Sequence, residues 1–551
     1  MEVFRKSLPG DFHKSLSSKV VTMAASRKSI TCDKQEIFDT ELIYSRVMAL
    51  AGCREFDLKE LFQYELSPIP TSLFDDNGDM RPATAKSALK KKLQLEVPSR
   101  TLEKAIKIID GCAFLWTVSW PTKKPIASFV ENFWSKILRY LEESDVYLVF
   151  DRYNELSIKN TTRSSRSKKA DEQYALTKET AMLPAQADVL SSSKNKSLLI
   201  DILCRDLPER AAALPRSHRA FSHSLIITGP HEVPEEIKMG IKIARNDMKT
   251  FHEEADVIMT NQAINLAKGR SPVTVISDDT DVFLLLLHFS HKYDIDSPLY
   301  MEATSGARSI TDITATKATH SVICPMLLGA HALTGCDTVS RPYGIGKHKA
   351  LLSLQRGLRL NLLGEQTADI EEVIEESSLF LASCYGRDHT KPVSNARYET
   401  WVARTGNKKA KKVPSLKELP PTKDALNEHV KRAHLQVAVW KSSMEEHPPS
   451  LDPRRYGWSE DKDNKCLVAV TLPEDVARVP TEIQKLIKCG CASEEPCSTA
   501  RCGCVSARVK CSVFCSCKKD DICFNPANMS EDPESEDEHD DDLVIEDCSD
   551  Y

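Results

Sequence analysis

Residues 272–281 read PVTVISDDTD, an apolar β-branched run that closes on Asp278, Asp279 and Asp281. Such a run, bounded by Pro and by a carboxylate cluster, reads as a strand. Working outward, AIKIID ends in the same way at Asp110 and DVYLVFD at Asp151, with the amphipathic stretch IASFVENFWSKILRYLEE between them. Helix-like and strand-like pieces follow: SLLIDILCRDL, SLIITG and the long segment PEEIKMGIKIARNDMKTFHEEADVIMTNQAINLAKG. Strands separated by helices imply an α/β fold, a parallel sheet flanked by helices. In such sheets the ligand crevice lies beyond the carboxyl ends of the strands. Asp110, Asp151, Asp278, Asp279 and Asp281 all fall there, and Glu253, Glu254 and Asp256 open the helix that precedes the last of these strands.

One Asp after a strand is ordinarily a turn or helix N-cap residue. The joint pattern is more specific. So many negative charges at one sheet edge are unfavourable unless cations neutralise them, and hard divalent ions with oxygen ligands fit, Mg²⁺ (or Mn²⁺) first. Two such ions about 3.5–4 Å apart are a standard device for hydrolysing a phosphodiester. Downstream, LLGAHALTGCDTVSRPYGIGKHKALLSLQ places an apolar helix before Gly335-Cys336-Asp337 and a second helix after Gly344-Ile345-Gly346-Lys347. A Gly-x-Gly turn between helices brings backbone N–H groups close to a phosphate, and the following helix start adds partial positive charge. Gly344, Gly346 and Lys347 are therefore expected to contact a DNA backbone.

The chain has 551 residues, 41% hydrophobic and 28% charged, with a mean hydropathy of −0.35. This describes a globular protein of about three folded units. The longest strictly apolar run, Val282–Leu287, is far short of the ~20 residues of a membrane helix, so no membrane partner is expected. The N-terminus lacks the apolar core of a secretory signal, which points to a reducing compartment and against disulfides. The net charge of −6 is uneven: residues 531–551 hold twelve acids and no Lys or Arg, so the remainder is mildly basic. The expected domains are a partly ordered extension over 1–100, the α/β domain over 101–384 with its hairpin at about 325–360, and a basic, Pro-containing connector with one helix over 385–484. A Cys-rich module over 485–527 and an acidic disordered tail over 528–551 complete the reading. The run Lys408-Lys409-Ala410-Lys411-Lys412 suggests nuclear import.

The order of these acids resembles that of the flap endonuclease/XPG-like nucleases, which have a PIN-like core and a helix–two-turn–helix DNA clamp. The correspondence runs through Asp110, Asp151 in VFD, Glu254 and Asp256 in EEADVIM, Asp279 and Asp281 in SDDTDVF, and Asp337 in TGCDTVSRPYGIGK. It covers about residues 105–365. The resemblance implies a Mg²⁺-dependent, structure-specific DNA endonuclease or 5′ nuclease, acting on branched DNA or a duplex with a single-stranded arm. The seven acids would be metal ligands, and Lys159 and Arg163, with Arg166 an alternative to Arg163, would position the scissile phosphate. Two departures stand out: about a hundred residues precede Asp110, and 102 residues separate Asp151 from Glu254. No sliding-clamp peptide is evident near the C-terminus. These features suggest a divergent nuclease of mobile-element origin.

Nine of the 18 cysteines fall between Cys489 and Cys523: Cys489, Cys491, Cys497, Cys502, Cys504, Cys511, Cys515, Cys517 and Cys523. Paired C-x-C spacings suit adjacent zinc ions that share thiolates, about three ions for nine sulfurs. The pattern, with Asn525 after the last cysteine, resembles the tesmin-type CXC module. That resemblance implies DNA binding, with Lys488, Arg501, Arg508, Lys510, Lys518 and Lys519 supplying phosphate contacts. A structural or protein-binding cluster is the alternative. For the whole chain, the other readings are a DNA- or chromatin-binding protein that retains an inactive nuclease fold, and a PIN-type ribonuclease.

Overall fold

The computed structural model describes most of residues 57–153 and 173–480, short pieces between 30 and 51, and residues 489–506, 511, 515–518 and 523–526. It forms two units, one comprising residues 69–476 and the other residues 1–68 with 477–551. Among the described residues no helix is long and apolar enough to cross a membrane.

The larger unit is built on a nine-stranded sheet. Its strands are β1 (Glu96–Pro98), β2 (Ile106–Asp110), β3 (Val146–Val149), β4 (Leu225–Thr228), β5 (Glu235–Lys238), β6 (Ile241–Ala244), β7 (Val273–Ile276), β8 (Leu299–Glu302) and β9 (Ser309–Asp312). Their spatial order is β1-β9-β8-β7-β2-β3-β4-β5-β6. The five central strands, β8 to β4, are parallel, and both flanks are antiparallel. This is the mixed, mostly parallel α/β architecture that the strand–helix alternation predicts.

The centre is apolar on both faces because alternate side chains point to opposite sides. Tyr147 and Val149 of β3 join one core, with Ile108, Ile226, Val273 and Val275. Val146 and Leu148 join the other, with Ile109, Leu225, Ile227 and Ile276. Helices α3 (Ile126–Leu141) and α4 (Ser193–Ala212) cover this second face. Along α3 the buried positions Ile126, Phe129, Val130, Phe133, Trp134, Ile137 and Leu141 form one stripe at helical spacing. Helices α5 (Ala255–Lys268) and α6 (Thr280–Lys292) cover the first face, and α6 is buried at every position from Thr280 to Ser290.

Within the segment 234–248 lies the β5–β6 hairpin, turned at Met239 and Gly240, whose φ values of 51° and 78° match a two-residue type I′ turn. Two expectations are corrected. Residues 69–98 lie within the larger unit, across the boundary expected near residue 100. There β1 pairs with β9, and helix α1 (Ser87–Leu93) buries Leu89 and Leu93 in the core. The expected connector likewise contributes to the core through its helix, Lys423–Lys441, which buries thirteen residues including Val430, Ala433, Val437 and Trp440. Its polar positions mislead because some of them bond within the core: Arg432 Nη1 donates to the carbonyls of Gly457 and Val470, at 3.0 and 2.8 Å.

Phe133 is fully buried, with its ring 5.3 Å from that of Phe114 and 6.4 Å from that of Phe150. Phe133→Ala is expected to cost about 3–5 kcal/mol, measured as a lower midpoint in urea unfolding of the purified chain.

Candidate metal centres

From β2 the chain proceeds to β3 and β4 on one side, whereas β7, on the other side of β2, leads to β8. The strand order therefore switches between β2 and β7, which is where α/β sheets open their ligand crevice. Asp110 is the last residue of β2 and caps helix α2 (Gly111–Thr117), accepting from the Ala113 N–H at 2.9 Å. Ser277, just past β7, joins the two strand ends. Its Oγ donates to Asp110 Oδ2 at 3.3 Å and accepts from the Asp279 N–H at 3.2 Å. Asp279 caps α6, accepting from the Asp281 N–H at 2.8 Å. Asp151 accepts from the Ala255 N–H at 2.9 Å and so holds the start of α5, where Glu254 occupies the N-cap position.

This framework gathers oxygens of Asp256, Asp279 and Asp281 within 4.8 Å of one another. Burial pushes Asp279 up to about 7, with the Asp281 charge adding to the shift. Burial likewise pushes Asp110 up to about 6, with Asp151 adding. Asp281 is 2% exposed, and its Oδ1 accepts from His331 Nε2 at 2.8 Å. His331 is depressed to about 4, by burial first and by Lys347 next, so the neutral ring donates. Lys86 Nζ pairs with Asp337 and lies 3.9 Å from Asp281 Oδ2. A compact set of hard oxygen donors, in which burial and then the Asp281 charge raise Asp279, fits a divalent cation of the Mg²⁺ type.

Of the seven acids singled out in the sequence, Asp256, Asp279 and Asp281 meet directly. Asp110 and Asp151 join through Ser277 and the α5 start, Glu254 adjoins them on the chain, and Asp337 joins through Lys86. Lys159, Arg163 and Arg166 lie outside the described residues. The helical hairpin takes the expected form, α7 (Leu327–Leu333) and α8 (Lys347–Gln355). Gly344 has a φ of +70°, and a Cβ at Gly344 or Gly346 would meet nothing within 4 Å, so the turn is open to a ligand. Lys347 departs from its expected phosphate contact. Its side chain is buried, and the ammonium donates to the His331 carbonyl at 2.6 Å, to the Gly335 carbonyl and to Thr334 Oγ1 at 3.2 Å. The residues missed are His331 and two lysines of the α1 region, Lys86 and Lys90; the charges of Asp278 and Asp279 act on Lys90. The signal for α1 was present: in KSALKKKL, Leu89 and Leu93 mark one face and Lys86 and Lys90 repeat at i and i+4.

In the smaller unit the nine cysteines form one cluster. Three groups of four lie at ligand spacing: Cys489, Cys491, Cys497 and Cys502; Cys489, Cys504, Cys511 and Cys515; and Cys489, Cys497, Cys511 and Cys517. Along their edges the Sγ–Sγ separations are 3.5 Å for Cys489–Cys497, 3.6 Å for Cys504–Cys515 and for Cys511–Cys497, and 3.8 Å for Cys489–Cys517. Thiolates around a tetrahedral zinc with Zn–S of about 2.3 Å stand about 3.8 Å apart, so the donor set fits zinc. Buried Asn525 donates to Cys511 Sγ at 3.3 Å. Arg501 is exposed; the side chains of Lys488, Arg508, Lys510, Lys518 and Lys519 lie outside the described residues.

No family model and no curated protein matches the chain. Among solved structures it is similar to the catalytic core of Rad2 in complex with DNA substrate, at 13% identity over 50% of this chain and 68% of that one, with a TM-score of 0.29. It is also similar to human GEN1 in complex with Holliday junction DNA, at 15% identity over 65% and 77% and a TM-score of 0.31. A third is a flap endonuclease of bacteriophage T5 in a pseudo-enzyme–product complex with DNA and metal ions, at 14% identity over 60% and 98% and a TM-score of 0.27. At these scores the functional case rests on this chain's own residues.

Because the folded protein raises the Asp110 and Asp279 pKa values above the usual ~3.9, both acids favour the metal-free fold below that value. That contribution is lost as pH rises through about 6 to 7. A divalent ion binding the ionised forms restores it. Mg²⁺ is therefore expected to raise the melting temperature clearly at pH 8 and little at pH 5, read by thermal unfolding in matched buffers.

Proposed function

We propose that the chain is a divalent-metal-dependent nuclease that hydrolyses phosphodiester bonds of DNA. The observation that carries the reading is the convergence of Asp256, Asp279 and Asp281 within 4.8 Å at the switch point of a parallel sheet. Two Mg²⁺ (or Mn²⁺) ions held by the seven acids would supply an activated water and neutralise charge on the leaving oxygen. Within the protein, His331 fixes Asp281 through Oδ1, and Ser277 keeps Asp110 and Asp279 in register across the two strand ends. The open Gly344–Gly346 turn offers backbone N–H groups to the phosphates of a duplex arm, a contact that positions without reading sequence. The substrate we assign is branched DNA or a duplex with a single-stranded arm, with Lys159 and Arg163 holding the scissile phosphate. The site of action is the nucleus.

The thiolate cluster is assigned to zinc and to DNA targeting. Nine thiolates meet the needs of about three tetrahedral ions when three of them bridge. Cys489, Cys497 and Cys511, which recur among the groups of four, are the bridging set. Cys523 packs against the cluster as the ninth ligand.

Cleavage of a panel of branched DNAs with and without Mg²⁺ tests the nuclease reading. Asp279→Asn should lower cleavage by about 10²-fold or more while DNA binding persists; undiminished cleavage would refute the assignment.

Metal analysis of the reduced full chain should find about three zinc ions. Cys489→Ser, which removes a shared ligand, should lose more zinc than Cys491→Ser, whose sulfur belongs to one group. Equal losses would contradict the shared cluster.

A further inference from the structure

One cation of the chain itself stands inside the carboxylate crevice. Lys86 Nζ bridges Asp337 and Asp281, pairing with the first and lying 3.9 Å from Oδ2 of the second, and the charge of Asp279 also acts on it. Its backbone is fixed. Lys86 is the N-cap residue of α1, and α1 is held by the burial of Leu89 and Leu93 against the core that contains α6 and α8. Asp281 therefore has protein partners on both oxygens, His331 at Oδ1 and Lys86 at Oδ2. Asp256 and Asp279 form the other end of the group. The Lys86 side chain is 20% exposed and Asp337 27% exposed, so this bridge lies on the solvent side of Asp281, which is 2% exposed.

We propose that Lys86 is a tethered occupant of one of the two cation positions. On the nuclease reading above, the DNA-free protein takes one divalent ion, at Asp256, Asp279 and Asp281. It takes the second, at Asp281 and Asp337, only when the Lys86 ammonium moves to a phosphate oxygen of bound DNA. Lysine suits this exchange. Its compact charge on a flexible four-carbon stem can leave one anionic partner for another without moving the backbone. Electrostatics makes the two states exclusive, since an ammonium and a divalent ion within a few ångströms repel strongly in a half-buried site. Lys86 is thus a positioning residue that couples arrival of the substrate phosphate to completion of the metal site.

The test is a count of bound Mn²⁺ on the full chain without DNA, by electron paramagnetic resonance and calorimetry. The wild type should bind one ion tightly, and Lys86→Met, which keeps the packing of the stem, should bind two, the second tightened by about tenfold or more. Lys86→Met combined with Asp337→Asn should return to one. Asp337→Asn alone should still bind one ion, at Asp256, Asp279 and Asp281, an outcome that remains readable if Lys86→Met does not fold. Two tight ions in the wild type, no gain in Lys86→Met, or loss of the first ion in Asp337→Asn would each overturn the proposal. Absence of Mn²⁺ binding in every variant would instead remove the metal-dependent nuclease reading, and this inference with it.

Discussion

Repulsion among carboxylates sets the terms of the larger unit. Asp110, Asp151, Asp256, Asp279 and Asp281 converge near the ends of β2, β3 and β7, and two of them are shifted toward protonation by burial. What surrounds them offsets the cost. Asp110, Asp151 and Asp279 each accept a backbone N–H at the start of a helix, α2, α5 and α6 in turn. A helix N-terminus carries about half a positive charge and favours an anion by about 0.3–1 kcal/mol. A strand that ends in Asp and feeds directly into a helix therefore supplies both the acid and its first stabiliser. Asp110 and Asp279 both follow this pattern, while Asp151 instead caps α5 from a distance in sequence.

The same logic explains why the crevice lies between β2 and β7 rather than elsewhere along the sheet. Ile109 pairs with Ile276, so the residues that follow, Asp110 and Ser277, emerge side by side from the two strands. At this point successive connections leave in opposite directions across the sheet. Burial elsewhere is nearly complete: α6, which starts at this gap, has no exposed position from Thr280 to Ser290. The carboxylates are accordingly a largely buried polar cluster beside the apolar cores. Its acids are held by backbone groups that the strand and helix geometry fixes.

Much of this could be read from the sequence, and the failures share a cause. The central strands and the acids that end them were legible because a short apolar run closed by Asp is a local signal. The α1 segment was not, and neither was the burial of the helix Lys423–Lys441, which the sequence placed in a connector. Both carry dense Lys, Arg or His, which composition assigns to solvent, yet α1 buries Leu89 and Leu93 and the longer helix buries His429, Arg432 and His434. Some of their polar atoms find partners far away in sequence, as when His429 Nε2 meets the Leu333 carbonyl at 2.8 Å. No window of the chain contains both partners, so periodicity cannot reveal the pairing. Lys86 escaped notice for the same reason: its counter-charges, Asp281 and Asp337, lie about two hundred residues or more downstream.

Lys347 shows how a motif can be present while its parts change roles. In Gly344-Ile345-Gly346-Lys347 the lysine invites a phosphate contact, but burial depresses its ammonium to about 7 and three oxygen acceptors hold it beneath the turn. Two of these acceptors are carbonyls at the end of α7, where a cation satisfies groups that the helix leaves without partners. One of them belongs to His331, whose ring holds Asp281. The lysine thus ties the start of α8 to the end of α7 and, through one residue, to the carboxylate crevice. A ligand pressing on the open glycine turn acts on a segment whose far end is a candidate metal ligand. The open turn at Gly344 and Gly346 presents backbone, while the buried lysine ties that turn to the residues that hold the crevice.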